Sequence, residues 1–302
     1  RLSLTNPPGG FDDPYATVGG SPFPLVTNQN MQFIPFGLFG AVDPDNNSPR
    51  VQQWNLTIEQ QLGSAWGVSA TYLGSHSDRF LGSVEQNPGV YMGQGPCTLP
   101  NGVSYPVCTV AANLNERRAL SLENPREGAL VSTVELFDDI TTIDYRGLKL
   151  SFQRRATTGV RLSGNWTFGR CMGGRIARGG QGDGDPGGGG NYHDPANIDY
   201  DRGHCDYDQT HLVNFTLGYQ TPEFSQAALR AVASNWQISG IVTARSGSWL
   251  TVTTGVIGFN GLADRVDQVS DQVYGDKTLL NYLNRAAFAN PAPGTFGSHP
   301  RN

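Results

Sequence analysis

The residues best equipped for chemistry crowd into one stretch: His193, Asp194, Asp199, Asp201, His204, Asp206, Asp208 and His211. Carboxylates at that density supply the hard oxygen donors that calcium takes, and several imidazoles supply the nitrogens that suit zinc. The spacing follows neither the twelve-residue EF-hand loop nor an HExxH helix, so the segment reads as a solvated, turn-rich loop. No metal site and no cofactor is expected. Gly74-Ser75-His76-Ser77-Asp78 holds Ser, His and Asp too close together in sequence to form a triad by itself, and GxSxG is absent. The glycine-rich run around Gly182 follows no buried strand and opens no helix, which argues against a phosphate cradle. The chain is not expected to be an enzyme.

Four cysteines remain. Cys97 and Cys108 bracket Asn101-Gly102, a strong two-residue hairpin signal, and a bond between them would staple that hairpin. Cys171 ends one strand pattern and Cys205 precedes the next by a few residues, so a second bond would tie together the two tops of a long loop. Of the three possible pairings this is the one that geometry favours, and it implies an oxidising compartment.

The elements that must carry these groups announce themselves by alternation. In Gln53-Trp54-Asn55-Leu56-Thr57-Ile58-Glu59, a strand places Trp54, Leu56 and Ile58 on one face and the polar residues on the other. Leu148, Leu150 and Phe152 repeat the pattern, as do Val160, Leu162, Trp166 and Phe168. Strands are expected at about 51–62, 66–77, 144–156, 159–170, 210–220 and 235–254, with short helical patterns near 114–120 and 226–232. Residues 1–50, rich in Pro, Gly and Asn, read as an outer loop region, and 51–302 as a β-barrel segment.

Connections alternate too. Gly63-Ser64-Ala65 and Thr157-Thr158-Gly159 are tight turns, whereas roughly sixty residues separate the two pairs and about forty follow the second. Short turns at one end and long loops at the other, on strands long enough to cross a bilayer at a tilt, predict an all-β fold: an antiparallel transmembrane β-barrel segment with long outer loops. Trp54, Trp66, Tyr72, Trp166, Phe168, Tyr219 and Trp236 fall near strand ends, where an aromatic girdle meets the membrane interface. Asn55, Asn165 and Asn214 match glycosylation sequons by pattern alone. As strand residues they are expected to face a polar lumen, together with Gln53, Glu59, Lys149, Gln153 and Arg161.

Composition bounds the reading. In 302 residues only 16% are charged and 37% hydrophobic, while Gly (39) and Pro (19) are abundant, a mixture poor in both ordinary surface and ordinary core. A net charge of −5 without a basic run excludes a nucleic-acid partner. No apolar run is long enough for a membrane-spanning helix, so any crossing must use strands. The sequence opens at Arg1 without a basic or apolar leader pattern and is expected to be an interior piece of something longer.

Val51-Gln52-Gln53-Trp54-Asn55-Leu56-Thr57-Ile58-Glu59-Gln60-Gln61-Leu62, followed by Gly67 to Ser75, resembles the barrel of TonB-dependent transporters of the Oar-like type. Tyr145 to Arg155, Asp201 to His211, Trp236 to Thr243 with Arg245-Ser246-Gly247, and Phe288 to Asn302 resemble later parts of that barrel in the same order. The resemblance covers most of residues 51–302 and makes Asp201-Arg202-Gly203 a loop-to-strand entry. It implies part of an outer-membrane TonB-dependent receptor that captures and imports a solute. Its implied partners are outer-membrane lipid, the TonB system and a plug domain where the full-length protein carries them, and an unknown solute. No plug domain, TonB box, carboxypeptidase-regulatory-like domain or terminal aromatic strand is found in the sequence. Six strands against about 22 in such transporters make the chain a segment of one. The alternative is a secreted or surface β-rich module, adhesive or self-assembling through its strand edges, which needs the apolar faces to pack on one another.

Overall fold

The structure, a computed structural model, describes residues 12–13, 37–155, 159–176 and 191–301. Six long strands dominate it: β1 (Arg50–Leu62), β2 (Trp66–Glu85), β3 (Val131–Arg154), β4 (Val160–Gly173), β5 (His211–Gln220) and β6 (Gln237–Arg245). They lie in one sheet in the order β6-β5-β4-β3-β2-β1, each beside its neighbour in sequence. This is an up-and-down meander, and it stays open, with β1 and β6 at its two ends. The strand Gly37–Val42, within the expected outer loop region, pairs with β3. Most of that region, Thr157 and Thr158 of the second turn, and the glycine-rich run lie outside the described residues.

Two strands outrun the sequence expectation. β2 continues past Ser77 to Glu85 and β3 begins at Val131, so the stretch 78–143, expected as loop, opens and closes as strand. Alternation fades in these extensions because protein covers both faces there, as it does in buried sheets. Ser83 is fully buried and its hydroxyl bonds Asn191 Oδ1, while Asn191 and Tyr192 add a short parallel strand beside Ser83 and Val84.

β6 falls short of the expected 235–254 and ends at Arg245. The cause is loss of its partner: β5 starts at His211, whose carbonyl accepts from Ser246 N–H at 2.9 Å and whose N–H donates to Ser246 Oγ at 3.1 Å, closing the ladder. Thr253–Ile257 instead pairs with Ala263–Arg265 in a separate small sheet. On the other side, the connection from β5 to β6 carries the helix Ala227–Ala233, matching the expected pattern.

The chain divides into two compact units. The larger holds residues 42–84, 137–257 and 262–302, hence most of the sheet. The smaller holds residues 1–41, 85–136 and 258–261. Within the smaller one, Cys97–Thr98 and Ser104–Tyr105 form the stapled hairpin, and Ala119–Glu123 and Pro125–Gly128 are single-turn helices near the expected position. Its interior is polar. Arg117, 1% exposed, donates to Asn113 Oδ1 and to the carbonyls of Val90 and Phe259, and burial lowers its pKa.

Candidate functional site

Strand register sorts the sheet into two chemically distinct faces. On one, Trp54, Leu56, Ile58 and Leu62 of β1 stand opposite Gly74, Tyr72, Ala70 and Trp66 of β2. Leu148, Leu150 and Phe152 of β3 stand opposite Phe168, Trp166 and Gly164, and these in turn opposite His211, Val213 and Phe215 of β5. Rings meet across the strands, Trp66 against Phe152 at 6.3 Å and Phe152 against Phe215 at 6.3 Å. Leu56 is 65% exposed and Leu150 38%, so among the described residues no second sheet seals this face. Eight residue steps from Trp54 to Leu62 span about 26 Å along the strand, or about 20 Å across a bilayer at a tilt near 40°, a band that is apolar apart from Gln60 next to its short-turn end. Trp66 and Tyr219, with Trp236 just before β6, mark its short-turn end, and Trp54, Trp166 and Phe168 its long-loop end, whereas Tyr72 sits mid-band opposite Leu56. All seven rings are exposed.

The opposite face is polar. Gln53 and Glu59 stand opposite Ser75 and Ser69, Lys149 and Gln153 opposite Thr167 and Ser163, and Arg161 opposite Gly218. A ladder of amides and hydroxyls crosses it: Asn214 Nδ2 donates to Asn165 Oδ1 at 3.3 Å, Thr243 Oγ1 donates to Asn214 Oδ1 at 3.1 Å, and the Thr57 and Thr71 hydroxyls bond at 3.0 Å. Asn55, Asn165 and Asn214 all lie on this face. A cleft of about 610 Å³ opens there, lined among others by Glu59, Gln61, Ser151, Gln153, Asn165 and Asn214.

The loops on the far side of the band hold a buried charge network. At its centre Asp201 accepts from Arg265 Nη1 at 2.6 Å and from the His193 N–H at 2.6 Å, and its Oδ1 faces His193 Nδ1 at 2.8 Å. His193 Nε2 lies 2.6 Å from the Ala263 carbonyl, which accepts from it. Arg265 also donates to the carbonyls of Tyr200 and His299, and its guanidinium stacks 3.7 Å from the Tyr200 ring. Burial alone pushes the Asp201 carboxyl up, but the His193 bond and the charges of His193, Arg175 and Arg265 prevail and hold it well below the usual carboxylate range. Burial pushes the Tyr200 phenol up to about 12.

A second cluster adjoins the Cys171–Cys205 bond. His204 Nδ1 lies 2.6 Å from Asp208 Oδ2 with its ring stacked on Trp249 at 3.8 Å, Asp208 Oδ1 accepts from the Cys171 N–H at 3.0 Å, and Arg301 donates to Asp206 at 3.1 Å. The expected solvated loop is thus corrected. Asp201 and His193 are buried, as are His204 and Asp208, because each has found a compensating charge or donor. Asp199 stays at the surface, and His211 stands apart on the apolar face, stacked on Trp166. Among the described residues no group of three or more His, Cys, Asp or Glu is placed to hold a metal. The two cysteine pairs are Cys97–Cys108 and Cys171–Cys205, with Cα atoms 5.3 and 5.4 Å apart. Sequence reasoning missed these partners: Arg265, Arg301 and Tyr200 lie in aperiodic stretches, Trp249 falls in the expected strand 235–254 beyond its actual end at Arg245, and nothing local marks any of them as the partner of a distant carboxylate or imidazole.

A two-faced, up-and-down sheet with short turns at one end and a loop-rich far end is the architecture of an outer-membrane barrel wall. The family described as Outer membrane beta barrel domain matches residues 1–302, the whole sequence. The chain belongs to the outer membrane β-barrel domain family. No curated protein and no solved structure matches it. As a member of this family it resides in the outer membrane, with the Trp54-to-Leu62 band against lipid. That assignment explains why leucines stand exposed across a whole sheet face: their solvent is hydrocarbon.

Proposed function

We propose that this barrel wall is part of a TonB-dependent receptor that captures a solute at the outer face and imports it through a plugged lumen. The observation that carries the reading is the polar sheet face with its cleft, lined by Glu59, Gln61 and Gln153 and lying directly behind the lipid-facing band. A wall polar on one side and apolar on the other suits an aqueous passage. The ordered resemblance of residues 51–302 to Oar-like transporters supports the finer assignment. Gln53, Glu59, Lys149, Gln153 and Arg161 are then the groups that meet plug or solute, and no reaction is assigned to the chain. The test is energy-dependent accumulation of candidate solutes in cells carrying the full-length gene, a deletion, and a strain lacking TonB. Transport requires that one solute be taken up in the first and not in the other two. Equal uptake of every solute in all three strains would overturn it.

The open sheet favours a second reading. β1 and β6 end the sheet with 13 and 9 residues, all exposed, and such edges recruit further strands. Those strands come either from the remainder of the same barrel or from further copies, giving a self-assembling surface module. Mass measurement of the detergent-solubilised full-length protein separates the two, a monomer supporting the first and a stable oligomer the second.

A further inference from the structure

On the polar face, at the far end of β3, β4 and β5, a pocket of about 400 Å³ is lined by Ile143, Tyr145, Leu212, the Cys171–Cys205 bond and the segment Asp206 to Gln209. Its size suits a small organic ligand, and its lining is mostly apolar with a few convergent polar groups. We infer that this pocket binds one or two rings of a neutral saccharide, stacked on Tyr145 and hydrogen-bonded by Gln209 and the Asp206–Arg301 pair. The inference rests on the receptor reading and names the class of its solute.

Three observations support it. Tyr145 straddles Gly147 and Gly169, which face each other across β3 and β4, and a Cβ on either glycine would come within 2.7 Å of the phenolic oxygen. The phenol end of the ring therefore covers bare backbone at this glycine pair, and Tyr145 lines the pocket as an aromatic platform for the C–H face of a sugar. Both carboxylates beside it are engaged by the protein's own groups, Asp206 by Arg301 at 3.1 Å and Asp208 by the His204 imidazole at 2.6 Å and the Cys171 N–H at 3.0 Å. A pocket whose carboxylates are already held by the protein's own donors recruits no cation and repels an anion, while an Asp–Arg pair presents both acceptor and donor to hydroxyls. Gln209 lines the pocket and contributes an amide that both donates and accepts. The Cys171–Cys205 bond and the Cys171 N–H to Asp208 bond at 3.0 Å tether the Asp206–Gln209 segment as a wall of the pocket, so the site is set before a ligand arrives.

The experiment is binding of neutral oligosaccharides, presented as a glycan array and then titrated calorimetrically, to the full-length detergent-solubilised barrel. At least one neutral glycan should bind, and Tyr145→Ala should weaken it at least about tenfold while Tyr145→Phe keeps the platform and stays within about threefold. Gln209→Ala should weaken it by roughly five- to tenfold, with β-sheet circular dichroism of each variant unchanged. The inference fails if no neutral glycan binds, or if Tyr145→Ala and Gln209→Ala bind as the parent does. Outcomes for the two proposals separate cleanly: TonB-dependent uptake of a non-saccharide sinks only the pocket, whereas glycan binding without TonB-dependent uptake sinks only the transporter.

Discussion

Asp201 sits at the centre of the buried charge network in the loops. It is fully buried and satisfies both Arg265, 1% exposed, and His193. Removing one partner of such a pair leaves a buried charge uncompensated, a loss of about 3–5 kcal/mol. Asp201→Asn should therefore expose the loops around Tyr200 and Arg265 to limited proteolysis, and should lower the unfolding midpoint of the loop region while leaving the β-sheet signal intact. The pH dependence has two limbs. Asp201 is held below its ordinary value of 3.8, so its stabilisation is present above that pH and is lost as pH falls from there. Tyr200 is pushed up from 10 to about 12, so the fold is favoured below pH 10 and loses at most about 3 kcal/mol as pH climbs through that interval. Trp249, stacked on His204 in this region, gives a fluorescence readout for both limbs.

Strands obey a different rule from loops, because period-2 alternation commits each residue to lipid or to the polar side. Leu56 and Thr57 are adjacent on β1 and point to opposite faces, Leu56 opposite Tyr72 and Thr57 opposite Thr71. An arginine at Leu56 should cost about 2–4 kcal/mol of barrel stability, since position 56 lies inside the band between Trp54 and Leu62. The same substitution at Thr57 should be nearly neutral. Urea unfolding in detergent or lipid vesicles measures both, and equal costs at the two positions would refute the face assignment. The strand extensions above the band behave as loops do. In β2 beyond Ser77 and in β3 before Asp144, side chains meet other protein on both faces, and the alternation that marks the lower halves is gone.

At the scale of the molecule, the wall is held by the sheet ladder and the loops by buried charges and two covalent bonds. Cys171–Cys205 closes a separation of 34 residues and Cys97–Cys108 one of 11. In the chain-entropy model these closures stabilise by about 4 and 3 kcal/mol. Reduction with dithiothreitol should therefore loosen the loops while the sheet persists: protease cuts should appear around 171–205 and 97–108, with β-sheet circular dichroism and membrane residence unchanged. Loss of the sheet itself on reduction would show that loop and wall fold as one cooperative unit.

The sequence by itself determined the wall. Alternation over residues 51–62, 66–77, 144–156 and 159–170 located four strands and their faces, because a strand bathed by lipid on one side must write its period into its composition. The ends of those strands, the halt of β6 at Arg245, and the conversion of the His193-to-Asp208 stretch from apparent open loop to buried network were decided only in three dimensions. Each depends on partners far along the chain: Ser246 capping His211, Arg265 reaching Asp201, Arg301 reaching Asp206. A charge that will be neutralised by a residue 64 positions away looks, in one dimension, the same as a charge left in water.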